Sequence, residues 1–263
     1  MNNLLGIFTS SIGRKVLMSL TGLFLVLFLL IHVVGNLQLF RNDDGYAFNT
    51  YTILMTSNPL IKTVSYLLYA TIVAHAVLAL VLTLKNMSAR KKGYGQTSGA
   101  TSKWSARNMG ILGTIILVFI VVHMSNFWYE YKFSEVPWAQ YLTNLETNET
   151  TFTDITDMVK QMPEKPNFKS QEFSAGANKV LIIKNLYHEV KTDFQNELWL
   201  VCLYVFSMIA LSFHLLHGFQ SAFQTLGIRH KTYTPIIKFV GYAFGIIVPI
   251  LFAAMPLYFY FNK

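Results

Sequence analysis

Apolar residues fall into five runs separated by polar connections, at positions 16–39, 63–84, 108–128, 198–226 and 236–261. Each run is long enough for a helix rising ~1.5 Å per residue to cross a hydrocarbon layer of ~30 Å. The pattern predicts an all-α membrane protein, with five transmembrane helices bundled in a single domain over residues 1–263. Pro249 and Pro256 are expected to kink the last helix. The first run is longer than the apolar core of a secretory signal and has no small-residue cleavage site after it, so it is read as a retained span. Only the third and fourth runs are joined by a long polar insert, positions 129–197. Its Thr/Asn-rich stretch 141–156 and Pro163 and Pro166 read as breakers, and 175–197 reads as a helix running straight into the fourth span.

Composition agrees with a membrane setting: 53% of the 263 residues are hydrophobic and 13% are charged. A net charge of +8 could point to nucleic acid, but the basic residues cluster in short connections beside apolar runs, which is a topology signal. No nucleic-acid partner is expected. Cys202 is the only cysteine, which excludes an intrachain disulfide or a cysteine-based metal site.

Charge placement orients the runs. Arg14 and Lys15 precede the first; Lys85, Arg90, Lys91, Lys92, Lys103 and Arg107 lie between the second and third; Arg229, Lys231 and Lys238 lie between the fourth and fifth. None of these segments carries an acid. All 13 Asp and Glu residues lie elsewhere: Asp43 and Asp44 after the first run, the rest from Glu130 to Glu197. The excess of Lys and Arg places the amino terminus in the cytoplasm, with the insert and the carboxyl terminus outside. The expected location is the cytoplasmic membrane, with lipid as surrounding partner.

Orientation turns sequence distance into depth. His32 and His123 each lie roughly 24–27 Å from the cytoplasmic charges, and His75 and His217 roughly 15–18 Å. Ionisable side chains at such depth are costly and mark sites. A lone histidine in a span is often an interhelical hydrogen-bonding residue. Two pairs at matched depths, on the first and third spans and on the second and fourth, point instead to bis-imidazole ligation of two haem irons. Small residues share these faces: Gly35 near His32, Thr71 and Ala79 beside His75, Ser221 after His217. His214, one turn before His217, can also ligate; Gly218 beside His217 tilts the choice to His217 and leaves His214 as a hydrogen-bonding residue. His188 and His230 are expected to be solvated, and Met18, Phe24 and Phe28 to be packing residues. No Asp or Glu lies within a predicted span, so the proton-relay or ion-transport reading is disfavoured.

At these residues the chain resembles the membrane-anchor cytochrome b subunit of the succinate dehydrogenase/fumarate reductase family, in its single-subunit, five-span, di-haem form. The matching pieces are SLTGLFLVLFLLIHVVGNLQLF (19–40), AFNTY (47–51), AHAVLAL (74–80), GTIILVFIVVH (113–123) and HLLHGFQSAFQTLG (214–227). The resemblance implies two haem b groups: an outer one on His32 and His123, and an inner one on His75 and His217, the histidine of the L-H-G piece. It further implies a flavoprotein subunit and an iron–sulfur subunit on the cytoplasmic face. The chain itself would carry electrons between succinate and a membrane quinone, menaquinone rather than ubiquinone, with no dicarboxylate site of its own. Alternatives are the anchor of a quinol:fumarate reductase, or the cytochrome b subunit of another quinone-linked dehydrogenase or hydrogenase. Leu215 stands where some menaquinol-oxidising fumarate reductases have a glutamate, which weakens the first alternative. The insert is longer than the family usually carries. Arg14, Lys15 and Arg107 are candidate partners for haem propionates or for the iron–sulfur subunit, and Asn36 and Gln38 are candidate quinone-pocket residues.

Overall fold

The computed structural model describes residues 10–89, 104–164 and 166–263. Arg90, Lys91, Lys92 and Lys103, on which the orientation argument draws, lie outside the described residues. Helix α1 (Ser11–Asn36) is continued by a 3-10 turn, Leu37–Phe40, and followed by α2 (Tyr46–Ser57) and α3 (Pro59–Ser88). After the short α4 (Trp104–Arg107) comes α5 (Met109–His123), continued by a π-helical stretch, Met124–Tyr129, and by α6 (Glu130–Phe133). The insert forms β1 (Trp138–Asn144), β2 (Thr150–Asp154), α7 (Thr156–Lys160), β3 (Ser170–Ala175), β4 (Asn178–Lys184) and α8 (Leu186–Asn196). The chain ends with α9 (Leu198–Thr225) and α10 (Tyr233–Phe261). Among the described residues five helices are long and apolar enough to cross a membrane: Ser11–Phe40, Pro59–Ser88, Met109–Phe133, Leu198–Thr225 and Tyr233–Phe261.

The expectation of an all-α protein is corrected by a four-stranded antiparallel sheet of order β2-β1-β4-β3. Residues 175–197 are not one helix. The β-branched run of β4 pairs along its whole length with β1, from Trp138 opposite Lys184 to Asn144 opposite Asn178. The chain becomes helical only after Asn185, whose side chain caps α8 by accepting from the backbone N–H of His188 at 3.1 Å. It does not run straight into the span either, because Glu197 leaves the helical region at φ −107° and ψ 83°.

The chain divides into two compact units. The first comprises residues 1–33, 63–120 and 202–254. Its packing centres on Met208, Leu211 and Leu215 of α9, against Val26 and Leu29 of α1, Ile116 and Phe119 of α5, and Phe244 and Phe252 of α10. Close packing, rather than hydrophobic exclusion, holds helices together in lipid. Gly241 and Gly245 let α10 approach α9: a Cβ at Gly241 would come within 2.7 Å of Phe219, and one at Gly245 within 3.0 Å of Leu216. Pro249 cannot donate to the carbonyl of Gly245, four residues back. The Ser212 hydroxyl of α9 fills that vacancy, donating to this oxygen at 2.6 Å. The helix continues through both prolines to Phe261.

The second unit comprises residues 34–62, 121–201 and 255–263. Helix α2 starts after two left-handed residues, Asp44 (φ 50°) and Gly45 (φ 81°). A Cβ at Gly45 would overlap the ring of Tyr187. Gly45→Ala is therefore expected to cost at least about 2 kcal/mol, from the backbone preference plus the steric conflict. A thermal-denaturation midpoint equal to wild type would refute this.

A buried polar network docks the sheet on α2. Asn49 donates from Nδ2 to Tyr141 Oη (3.1 Å) and Asn185 Oδ1 (2.8 Å), and its Oδ1 accepts from the N–H of Tyr187 (3.0 Å). Tyr141 in turn donates to the carbonyl of Asp44 at 2.9 Å. Asn49 and Tyr141 are each 1% exposed, so every one of these groups depends on its protein partner. Burial holds the Tyr141 hydroxyl well above the usual tyrosine range, and the phenol stays a donor.

Candidate functional site

Within the first unit the ring packed edge-on against His75 of α3 is that of His214 of α9, with centroids 6.3 Å apart and planes at 64°. Sequence reasoning assigned that partnership to His217. Two imidazole nitrogens each about 2 Å from a shared metal leave their ring centres roughly 6 Å apart. The observed spacing matches that arrangement.

Thr21 of α1 orients the His75 ring. Its hydroxyl lies 2.8 Å from the carbonyl of Leu17 and 3.1 Å from that of Met18, and 3.0 Å from His75 Nδ1. A hydroxyl has one proton. With that proton on a helix carbonyl, Thr21 accepts from His75 Nδ1 and Nε2 keeps its lone pair; with it on Nδ1, the roles reverse. The first of these is the arrangement of a metal-ligating histidine fixed by an outer-shell hydrogen bond. Gly22 leaves room for the ring: a Cβ there would sit 3.3 Å from His75 Cε1.

The His214 side of the pair has space and unmet hydrogen-bonding capacity. Gly218 follows His214 by one helical turn and shares its face. A Cβ at Gly218 would meet nothing within 4 Å. Among the described residues, Nδ1 of His214 is buried without a hydrogen-bond partner, as are Nε of Arg14 and Nε2 of Gln220 in the same unit. A buried orphan such as His214 Nδ1 calls for an explanation.

The other candidates are placed as follows. His32 stacks on Phe28 (5.1 Å, 21° between planes) and packs against Phe252 at 5.5 Å, within the first unit. His123 belongs to the second unit, where it packs against Phe127 at 5.6 Å and immediately precedes the π-helical stretch. Such wide turns are frequent at functional sites. His217 is half-buried on α9, whereas His188 and His230 are exposed. The space that Gly35 was expected to leave beside His32 is taken by the ring of Tyr51. Asn36 and Gln38 are half-buried at the end of α1. No group of three or more His, Cys, Asp or Glu side chains arranged to hold a metal ion occurs among the described residues, and Cys202 is free and exposed.

Sequence reading missed a set of carboxylates on α8. Burial first, then the charges of Asp193 and Glu130, raise the Glu189 carboxyl above its ordinary range. Burial likewise raises Asp193, with Glu197 and Glu130 adding to it and a hydrogen bond from Asn126 opposing it. Comparison with family models, curated proteins and solved structures returned no match.

Proposed function

We propose that the chain is the di-haem cytochrome b membrane anchor of a succinate dehydrogenase. In this reading it passes electrons between flavoprotein and iron–sulfur subunits on the cytoplasmic face and a quinone, menaquinone rather than ubiquinone, in the membrane. The observation that carries the reading is the pairing of His75 and His214 from separate spanning helices at a 6.3 Å ring spacing, with the Thr21 hydroxyl 3.0 Å from His75 Nδ1. A haem iron held by two imidazoles supplies one-electron transfer and has no open position for oxygen.

The residues fit such a group. His75 and His214 would hold the inner haem, with His214 in the role first given to His217. Gly218 gives the macrocycle room on the face of His214. Arg14 stands seven residues before Thr21, roughly 10 Å along α1 toward its start, and its buried, unpartnered Nε suits a haem carboxylate. For the outer haem, His32 and His123 are supported by their matched depths along the chain. The orientation, with the amino terminus cytoplasmic and the carboxyl terminus outside, rests on the distribution of Lys and Arg.

The test is purification from native membranes with haem quantification and a redox titration. Two haem b per chain, reducible by succinate in a preparation that retains a flavin-containing subunit, is the expected result. A haem-free chain, or a haem-loaded one whose co-purifying partners lack flavin and leave it unreduced by succinate, would overturn the assignment.

A further inference from the structure

Four lysines of the second unit converge on one patch from different parts of the chain: Lys62 near the start of α3, Lys132 in α6, Lys169 just before β3 and Lys184 at the end of β4. The ammonium of Lys169 feels the charges of the other three, which, after burial, hold its pKa below the usual lysine value. Burial does the same to Lys184. Eleven of the 13 acids lie at or beyond Glu130 in the same part of the sequence. Even so, none of the four lysines forms an ion pair with a carboxylate among the described residues; the ion pairs found join Arg41 to Asp43, Lys160 to Asp157 and Lys179 to Glu172.

The patch lies at the border of the apolar zone. Lys62 is in the first turn of one spanning helix, and Lys132 is in the last turn of another. Lys132 Nζ lies 4.9 Å from the centre of the Trp128 ring and Lys184 Nζ 5.9 Å from that of Tyr131. Leu60, Tyr129 and Phe133 beside them are 72%, 51% and 66% exposed. Aromatic rings and snorkelling lysines at helix ends are the furniture of a lipid headgroup layer. Lys169 satisfies one of its three donors on the carbonyl of Thr56, at 2.9 Å. Lys184 also lines a cavity of about 110 Å³ together with Ser134, Thr156, Lys160 and one carboxylate, that of Glu135.

We propose that Lys62, Lys132, Lys169 and Lys184 form a binding site for the phosphate of an anionic phospholipid, in the leaflet on the side of the sheet. Charge complementarity selects an anion, and the exposed apolar side chains select one that carries acyl chains. The site is independent of the haem reading.

The full chain in nanodiscs of mixed phosphatidylglycerol and phosphatidylcholine, exchanged into detergent, provides the assay: mass spectrometry counts the lipids retained. Wild type is expected to retain phosphatidylglycerol selectively. K132Q/K169Q should weaken retention about 25-fold, at about fivefold per lysine, while K132R/K169R should keep it. Equal retention of the two lipids by wild type, or undiminished phosphatidylglycerol in K132Q/K169Q, would overturn the proposal. So would displacement of the lipid by equimolar inorganic phosphate, which would assign the patch to a soluble anion. Protection of these lysines from amine labelling in native membranes but not in the nanodiscs would assign it to an acidic protein partner and overturn it equally. Loss of the lipid in both double variants would mean that the lysine packing matters rather than the charge, and would count against the site.

Discussion

On the proposed di-haem reading, His214→Ala is expected to remove one haem of the two, together with its step in a redox titration, whereas His217→Ala keeps both. A bis-imidazole site needs two rings at a fixed spacing, and it is His214 that stands 6.3 Å from His75. Losing one of two protein ligands would leave a haem held by a single imidazole, and far less tightly. Haem content per chain in purified His75→Ala, His214→Ala and His217→Ala would decide it. If His217→Ala loses a haem and His214→Ala does not, His217 is the ligand, as its place beside Gly218 first indicated.

The second large effect is expected at Asn49. Asn49→Leu keeps the volume but deletes two donors and one acceptor in a site that water does not reach, leaving the Tyr187 N–H without its partner and taking one bond each from Tyr141 Oη, which keeps the Asp44 carbonyl, and Asn185 Oδ1, which keeps the His188 N–H. The orphaned N–H costs about 1–3 kcal/mol and the two lost bonds about 1 kcal/mol each, so a loss of about 3–5 kcal/mol is expected in this unit. The sheet should then come off α2 before the spanning helices unfold, opening the buried strands β1 and β4 to protease at temperatures where wild type resists. A variant that resists protease as well as wild type, and loses less than about 1 kcal/mol, would show the network to be dispensable.

The five apolar runs and the segregation of charge were legible because a bilayer imposes length and composition on any span. The sheet was not. Its second strand, T-T-F-T-D, is exposed throughout and has no buried face to leave a pattern. Its fourth, N-K-V-L-I-I-K, is a short apolar run next to a helix, where periodicity does not separate strand from helix. A turn signal was present, since A-G-A-N precedes that run and Gly176 takes φ 62° there. That the His214 ring is the one packed against His75 has a similarly simple reason for going unread. Gly218 was weighed as the neighbour of His217 in sequence, but residues one apart on a helix point about 100° apart, whereas residues four apart share a face. Gly35 misled for a different reason: its open side is filled by Tyr51 from α2, a helix that the polar connection did not announce.

The pairing of β1 with β4 changes what the long insert means for the assembling chain. As free coil, the 64 residues between Phe133 and Leu198 would let their ends wander roughly 45 Å apart. With Trp138 held opposite Lys184, only a handful of residues on one side and one short helix on the other remain as tether. A buckle closed on a long strap has the reach of a short one, and the two membrane crossings on either side search for each other over correspondingly less space.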